Sequence, residues 1–479
     1  MSFSLSNTAR QIAVLACLHG VGFCGSCFAY DFLEIYTLAK TNDPTVESAR
    51  QAMLAAGYRV DQAIAGWLPS VSMNGANQKV HGDYQFGSTP PNPPTVSQRQ
   101  SSNWNWALQL TQPVWKPVQT QMISQAQKAR IQYEAQYEQA KQELFSRVAT
   151  AYFAVETAQQ GVIAAQTAVD AGAVQFAVAQ KGFEVGTHSL ADREDANAKW
   201  ALAKSQRVGA QTELDTQFTE LEKITGALAT EKNTESKLSP LQPLSQLLPI
   251  EPNSIKEWVE RARVDSPTVQ AKMAAVKVAE AEIAKDYAAH QPTLDIVASR
   301  TRSYASGSST PLDYDSRTWV GAAGLQLTIP IFAGNINVAK AREAIAQLNV
   351  ALADLEAAQR AAESSAISAF KAIGNHRAQV EALTAAIDSA QVALEGNLAG
   401  MRFGLKIRLD VLLAEQQLAT ARRDWVKARY DAVLQSVKLK VSAGQMNEDD
   451  VQALNRLFVP DELNANKSMV MLKSSESLQ

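Results

Sequence analysis

The chain has 479 residues, with Lys+Arg 45 against Asp+Glu 48 and a formal charge of −3. That balance excludes a nucleic-acid binder that works by displacing phosphate counterions, which needs a basic surplus. Aromatic residues make up only 7 %, and abundant Ala and Gln suit long helices packed closely through small side chains.

Residues 1–29 read as a secretory signal peptide. Arg10 is the only charge before Asp31, an apolar stretch runs from Ile12 to Phe28, and Cys27-Phe28-Ala29 offers small residues for cleavage. Cys17, Cys24 and Cys27 all fall in this leader, so the mature chain has no thiol and disulfides do not stabilise it. The apolar sequence ahead of Cys17 is too short for a lipidation signal.

The remainder is a duplicated unit. Asp43-Pro44-Thr45-Val46 recurs as Ser266-Pro267-Thr268-Val269, and Pro69 as Pro292, both shifted by about 223 residues. Leu108-Gln109-Leu110-Thr111 recurs as Leu325-Gln326-Leu327-Thr328, and Gly186, Asp192 and Gly226 recur as Gly404, Asp410 and Gly444, shifted by about 217 or 218. The first copy spans residues 30–240 and the second 254–458. A Pro/Ser-rich linker at 241–253 joins them, and a polar tail follows at 459–479.

Each copy opens with a predicted helix, Phe32 to Gly66 and Ser254 to Ala289, ended by a prolyl break. Period-two alternation then predicts strands at Ser70–Asn74, Asn103–Thr111, Thr293–Ser299 and Trp319–Ile329. These runs approach the roughly 9–11 residues of a tilted membrane strand, although a soluble sheet with one wet face would alternate in the same way. Trp104, Trp106 and Trp319 are expected near strand ends, as a membrane girdle, and 79–102 and 301–318 are expected to be long polar loops. Four strands cannot close a barrel, and an open edge is forbidden in lipid. Three chains would supply about twelve strands, within the known range, so membrane strands imply a homotrimer.

After the strands comes a proline-free stretch from Val118 to Phe183, predicted as one helix about 100 Å long. Leu144, Val148, Ala151 and Val155 begin a seam that continues at heptad spacing to Phe183. Val411, Leu418, Ala428 and Leu439 mark a similar seam in the last helix of the second copy. A cytosolic coiled coil would share that spacing but would need neither leader nor strands. The fold class is therefore mainly α with a small transmembrane β part, and a hollow helical wall on a barrel implies a conduit.

Phe183-Glu184-Val185-Gly186-Thr187, followed by Asp192, and Arg402-Phe403-Gly404-Leu405, followed by Asp410, resemble the repeated helix-reversal motif of TolC-like outer-membrane factors. So do Asn42-Asp43-Pro44, Trp67-Leu68-Pro69-Ser70 and Ile331-Phe332-Ala333-Gly334, and the resemblance covers nearly the whole mature chain in order. The end of the second copy, through Gly444-Gln445-Met446-Asn447, looks most like the branch serving type I protein secretion. The resemblance implies a channel in the outer membrane, docked on a periplasmic adaptor protein and an inner-membrane ABC transporter. The rival within the family is multidrug efflux with a proton-driven pump. A non-conducting envelope-spanning coiled coil is a more distant reading.

The resemblance further implies that the reversal turns form the periplasmic tip. Gly186, Thr187, Gly404 and Leu405 become candidate adaptor contacts. Asp192, Asp195 and Asp410 become candidate entrance acids, with Arg193, Lys406 and Arg408 as their pairing cations. Rings of Asp repeated by three-fold symmetry would favour cations at a constriction, although acids at a helix start are also favoured by the helix dipole alone. Leu413 stands where the best-known members carry a second aspartate, and Met401 where they carry an aromatic. No P-loop, HExxH or GxSxG pattern occurs, and His81, His188, His290 and His376 lack metal-ligand spacing. The sequence therefore implies neither an enzyme nor a cofactor or metal.

Overall fold

A computed structural model describes residues 32–86, 95–226, 251–307 and 315–456. The leader, most of the linker and the polar tail lie outside the described residues. The elements follow the duplication: α1 (Phe32–Asn42), α2 (Pro44–Ala65), β1 (Ser70–Phe86), β2 (Thr95–Trp115), α3 (Pro117–Glu184) and α4 (Leu190–Thr225) are repeated as α5 (Ile255–Asp265), α6 (Pro267–Ala288), β3 (Thr293–Gly307), β4 (Ser316–Thr328), α7 (Ile336–Arg402) and α8 (Arg408–Ser442). A short helix, α9 (Glu448–Asn455), ends the described chain.

The single first helix expected in each copy is two helices, broken at Asp43 and at Ser266. The cause is the proline that follows each. It is tolerated at the first turn of a new helix but cannot continue an old one, because it lacks the N–H and its ring clashes with the preceding turn. The two breaks are held differently. Asp43 accepts from the Val46 amide at 2.9 Å and from Arg147 at 2.9 and 3.0 Å. The side chain of Ser266 makes no cap bond.

Each break rests against a left-handed glycine ending the copy's last helix. Gly226 (φ 89°) lies against Asn42, whose Nδ2 donates to the Thr225 carbonyl at 2.9 Å. Gly444 (φ 65°) lies against the backbone of Asp265, where a Cβ would come within 2.4 Å of the carbonyl oxygen. An alanine at either glycine would be strained by its φ, and at 444 it would also collide.

The cores of the two copies use matching positions. Ile35, Ala39, Val46, Leu144, Val148, Ala151, Val155 and Leu221 are buried in one cluster. Their counterparts Trp258, Ala262, Val269, Ala362, Ala366, Ala369, Ile373 and Leu439 are buried in the other. The first core adds aromatic rings: Phe32 meets Phe145 and Tyr152 edge-on, at centroid distances of 5.8 and 5.5 Å, and Phe153 stacks on Tyr430 at 4.9 Å. Beside that stack Glu156 is buried. Tyr430 Oη donates to its Oε2 at 3.2 Å, while Oε1 has no hydrogen-bond partner among the described residues. Burial pushes the carboxyl pKa up to about 7, the tyrosine bond opposing only in part.

The four strands form one antiparallel sheet in the order β1-β2-β3-β4. The hairpins share a register: Ser70 opposes Thr111 as Thr293 opposes Thr328. The strands run well past the predicted segments, and much of 79–102 and 301–318, expected as loops, continues the ladder. Alternation fades there because both faces become polar, while the backbone pairing persists.

Where alternation holds, the faces differ in kind. One carries Val71 and Met73, Leu108 and Leu110, Leu294 and Ile296, and Leu325 and Leu327, aligned across the sheet by register. Many of these side chains are exposed, with Met73 at 68 % and Leu325 at 71 %. The other face carries Ser72, Asn74, Asn105, Gln109, Ser299 and Gln326. Exposed leucine on one side and polar groups, Asp295 among them, on the other match a barrel wall between lipid and an aqueous lumen. Trp104 and Trp106 lie midway along β2, not near its end as expected, because β2 begins at Thr95; Trp319 is close to the start of β4. All three share the apolar face, where they bound its leucine-rich band on the side away from the helices.

Candidate functional site at the helix-reversal turns

Each long helix runs from the sheet to a tight reversal. α3 has 68 residues and α7 has 67, so each turn stands about 100 Å along its helix from the sheet. α3 packs on both α4 and α8, and α7 on α8, so both reversals stand at the end of the helices away from the sheet.

The turns are the same structure made twice. The Thr187 amide donates to the Gly182 carbonyl at 2.8 Å and the Gly186 amide to Phe183 at 3.1 Å. In the second copy Leu405 donates to Gly400 at 2.8 Å and Gly404 to Met401 at 3.0 Å. This is the Schellman pattern, which requires a left-handed residue at its hinge. Gly186 (φ 79°) and Gly404 (φ 73°) supply it. A second glycine in each turn, Gly182 and Gly400, escaped the sequence reading. A Cβ there would lie 2.0 Å from the His188 ring and 2.7 Å from Lys406 Cγ, so both positions are kept bare for the side chain that folds back over the helix end. Their spacing, four residues before each hinge glycine, was the available signal.

The helices leaving the turns are capped unequally. Ser189 accepts from the Asp192 amide at 3.2 Å, and the Asp192 carboxylate accepts from the Ser189 amide at 2.9 Å and from its hydroxyl at 2.7 Å. This reciprocal capping box holds the Asp192 carboxyl below the usual carboxylate range, first through the Ser189 hydroxyl and then through its amide. In the second copy Ile407 has no side-chain acceptor. Asp410 still reaches the Ile407 amide at 3.2 Å, but its own amide bonds only the Ile407 carbonyl, at 3.0 Å.

Within one chain, among the described residues, most of the expected pairs do not form. Arg193 pairs with Glu194 and lies over the Phe183 ring at 4.9 Å instead of meeting Asp192. Asp195 pairs with Lys199 at 2.7 Å, one helical turn along. Lys406 approaches Asp410 at 4.0 Å, and Arg408 makes no carboxylate pair among the described residues. Exposure separates the tips further. Phe403 and Leu405 are each 80 % exposed and Ile407 is exposed beside them, where the first copy carries Val185, Thr187 and Ser189. The second turn thus presents an apolar knuckle and the first a mainly polar one. Among the described residues no His/Cys/Asp/Glu cluster could hold a metal ion.

Comparison with known proteins places this geometry. The outer membrane efflux protein family profile matches residues 35–227 and 258–445, the two copies in turn. The chain is 26 % identical to the alkaline protease secretion protein AprF of Pseudomonas aeruginosa over 440 residues, covering 92 % of this chain and 90 % of that one. It is also 26 % identical to the outer membrane protein TolC of Escherichia coli, covering 93 % and 88 % respectively. Among solved structures, the CmeC outer membrane channel of Campylobacter jejuni superposes with a TM-score of 0.68 at 16 % identity, covering 89 % of this chain and 90 % of that one. The chain belongs to the outer membrane efflux protein family, with the fold of an outer-membrane channel whose helical part lies in the periplasm.

Proposed function

We propose that three copies of this chain form the outer-membrane duct of a type I secretion system, passing protein cargo from an inner-membrane ABC transporter and a periplasmic adaptor to the outside. The observation that carries the reading is the open four-stranded sheet with one apolar and one polar face. Its outer strands β1 and β4 have unpaired edges within the chain, and such edges are not tolerated in hydrocarbon. Three sheets joined edge to edge make twelve strands, within the range of membrane barrels. The polar faces then line a lumen that the helices extend, which a purely structural coiled coil would not need.

Cargo type rests on the likeness to a protease secretion protein. The efflux description of the family supports small-molecule export as the second reading. Both are tested by comparing proteins in the culture medium, by mass spectrometry, with and without the gene. Loss of one or a few large proteins from the medium, with their accumulation in cells, is the expected result. An unchanged medium together with new sensitivity to dyes, detergents or antibiotics would overturn the secretion reading in favour of efflux.

At the tip, Gly186, Thr187, Gly404 and Leu405 serve as adaptor contacts, with Leu405 contributing an exposed apolar surface. Asp410 is the better candidate for an entrance acid. Its carboxylate makes one backbone bond and a distant lysine contact, whereas the Asp192 carboxylate accepts two bonds from Ser189. Asp410→Ala is expected to lower cation selectivity in planar bilayers. Unchanged selectivity and conductance would reduce Asp410 to a helix-start acid.

A further inference from the structure

The lipid-facing side of the sheet ends, away from the helices, in a cluster of arginines and aromatic rings. Register places Trp106, Arg302 and Trp319 in one row across β2, β3 and β4, with Trp104, Tyr304 and Arg317 in the next. The Arg302 guanidinium lies 4.2 Å from the centroid of Trp319 and 5.5 Å from that of Trp104, and Arg317 lies 5.7 Å from that of Tyr304. Arg300 is one row nearer the helices on the same face, between Leu108 and Gly321.

None of these three arginines has a carboxylate within ion-pair distance among the described residues, and the nearby Asp315 accepts instead from Tyr304 Oη at 2.8 Å. Among the described strand residues of this face the one carboxylate is Asp83, on β1. A concentrated positive charge facing lipid is costly unless an anion meets it there.

We propose that Arg300, Arg302 and Arg317 form a binding site for the phosphate of an outer-leaflet membrane lipid. The position selects a lipid over a free anion. Leu110, Ile296 and Leu325 lie on the same face toward the helices, where acyl chains would pack, and the arginines stand where those chains end and headgroups begin. Along β4, Leu327 to Trp319 spans eight residues, about 27 Å of strand, or about 20 Å of depth at barrel tilt, close to the height of a membrane barrel's apolar band. Guanidinium groups bind phosphate in a two-pronged geometry that lysine cannot reproduce. Trp104 and Trp319 flank Arg302 and hold it facing outward, which reduces the entropy lost when phosphate binds.

The site rests on the reading of the sheet as part of a trimeric outer-membrane barrel. The test is native mass spectrometry of the purified full-length protein, with a bis-phosphorylated disaccharide lipid, its dephosphorylated form, or inorganic phosphate added as competitor. The wild type is expected to retain the phosphorylated lipid about five-fold better than the dephosphorylated one, and R300Q/R302Q/R317Q to lose that preference. Inorganic phosphate at matched concentration should not displace the lipid.

Equal retention of the two lipids by wild-type protein would overturn the proposal without recourse to any variant. So would an unchanged preference in the triple variant, or ready displacement by inorganic phosphate. Should the triple variant fail to assemble, R317Q, at an exposed position, is expected to weaken retention of the phosphorylated lipid alone. Conductance and trimer mass measured on the same preparation separate the two readings. Conducting trimers without phosphate discrimination refute only the lipid site, whereas absence of trimers refutes the barrel itself.

Discussion

The two halves of the chain share a backbone design and part of their core, and differ in several buried side chains and at their tips. Both break their first helix before a proline, pair their hairpin in one register, reverse at a left-handed glycine and restart on an aspartate three residues past the N-cap. Yet the first half packs Phe145 where the second has Glu363, buries Glu156 where the second has Gly374, and caps with Ser189 where the second has Ile407. Backbone geometry admits few solutions at a helix break or a hinge, so Pro44 and Pro267, and Gly186 and Gly404, are alike. Side chains facing a core or a partner only have to suit their new neighbours.

The comparison can be broken most forcefully in the cores. Phe145→Ala removes a ring buried against Phe32 and Tyr36 and is expected to cost about 3–5 kcal/mol. Ala366→Gly in the alanine-rich second core should cost only about 1 kcal/mol. Thermal or denaturant unfolding of the purified assembly checks both, and equal losses would mean that the halves are not stabilised differently.

The buried acid provides the next effect. Glu156 titrates near 4.5 when unfolded and at about 7 in the fold. Its folded pKa is raised, so the native state holds the proton more tightly. The stability this confers is full below about pH 4.5 and is lost as pH rises to about 7, by up to about 3 kcal/mol. Glu156→Gln should flatten that slope between pH 4.5 and 7, while the second half, with glycine at the matching position, supplies no counterpart. An unaltered slope would remove Glu156 as its source.

The smallest effect sharpens the comparison at the tips. Ser189→Ala should loosen the first turn by about 1 kcal/mol, and Ile407→Ser should tighten the second by a similar or smaller amount by completing its capping box. Amide hydrogen exchange at residues following each turn reads both changes. If Ile407→Ser has no effect, unequal capping does not distinguish the tips.

Much of this architecture was legible in the sequence because its signals are periodic and repeated. The proline-free run to Phe183 matched α3 to within a residue or two at each end, and hairpin order followed from two copies of the same alternating segment. What escaped had weaker local signals. The breaks at Asp43 and Ser266 read as helix interior because Pro44 and Pro267 sit within otherwise helical patterns. The outer portions of the strands carry polar residues on both faces, so nothing in their hydropathy separates strand from loop. The heptad seam is buried at Leu144, Val148, Ala151 and Val155, but Ala158, Val162 and Ala165 are only half-buried and Phe183 is exposed. A seam read from spacing says which residues share a stripe, not what covers it. At the turns the hinge glycines Gly186 and Gly404 were legible, whereas the pairing of Arg193 with Glu194 and of Asp195 with Lys199 depended on rotamers that no spacing rule supplies.

The central claim is that β4 of one chain completes its pairing on β1 of the next. Within the chain, the β2–β3 junction pairs Leu108 with Arg300. Carrying that register through the duplication sets Leu325 opposite Asn77 of a neighbouring copy. No cysteine occurs after Cys27, so N77C/L325C introduces the only two thiols in residues 28–479. Mild oxidation in outer-membrane fractions, followed by non-reducing electrophoresis, is predicted to give a covalent trimer, with neither single variant progressing beyond monomer. Monomer alone from the double variant, or a ladder without a limit at three, would contradict the closed three-chain barrel.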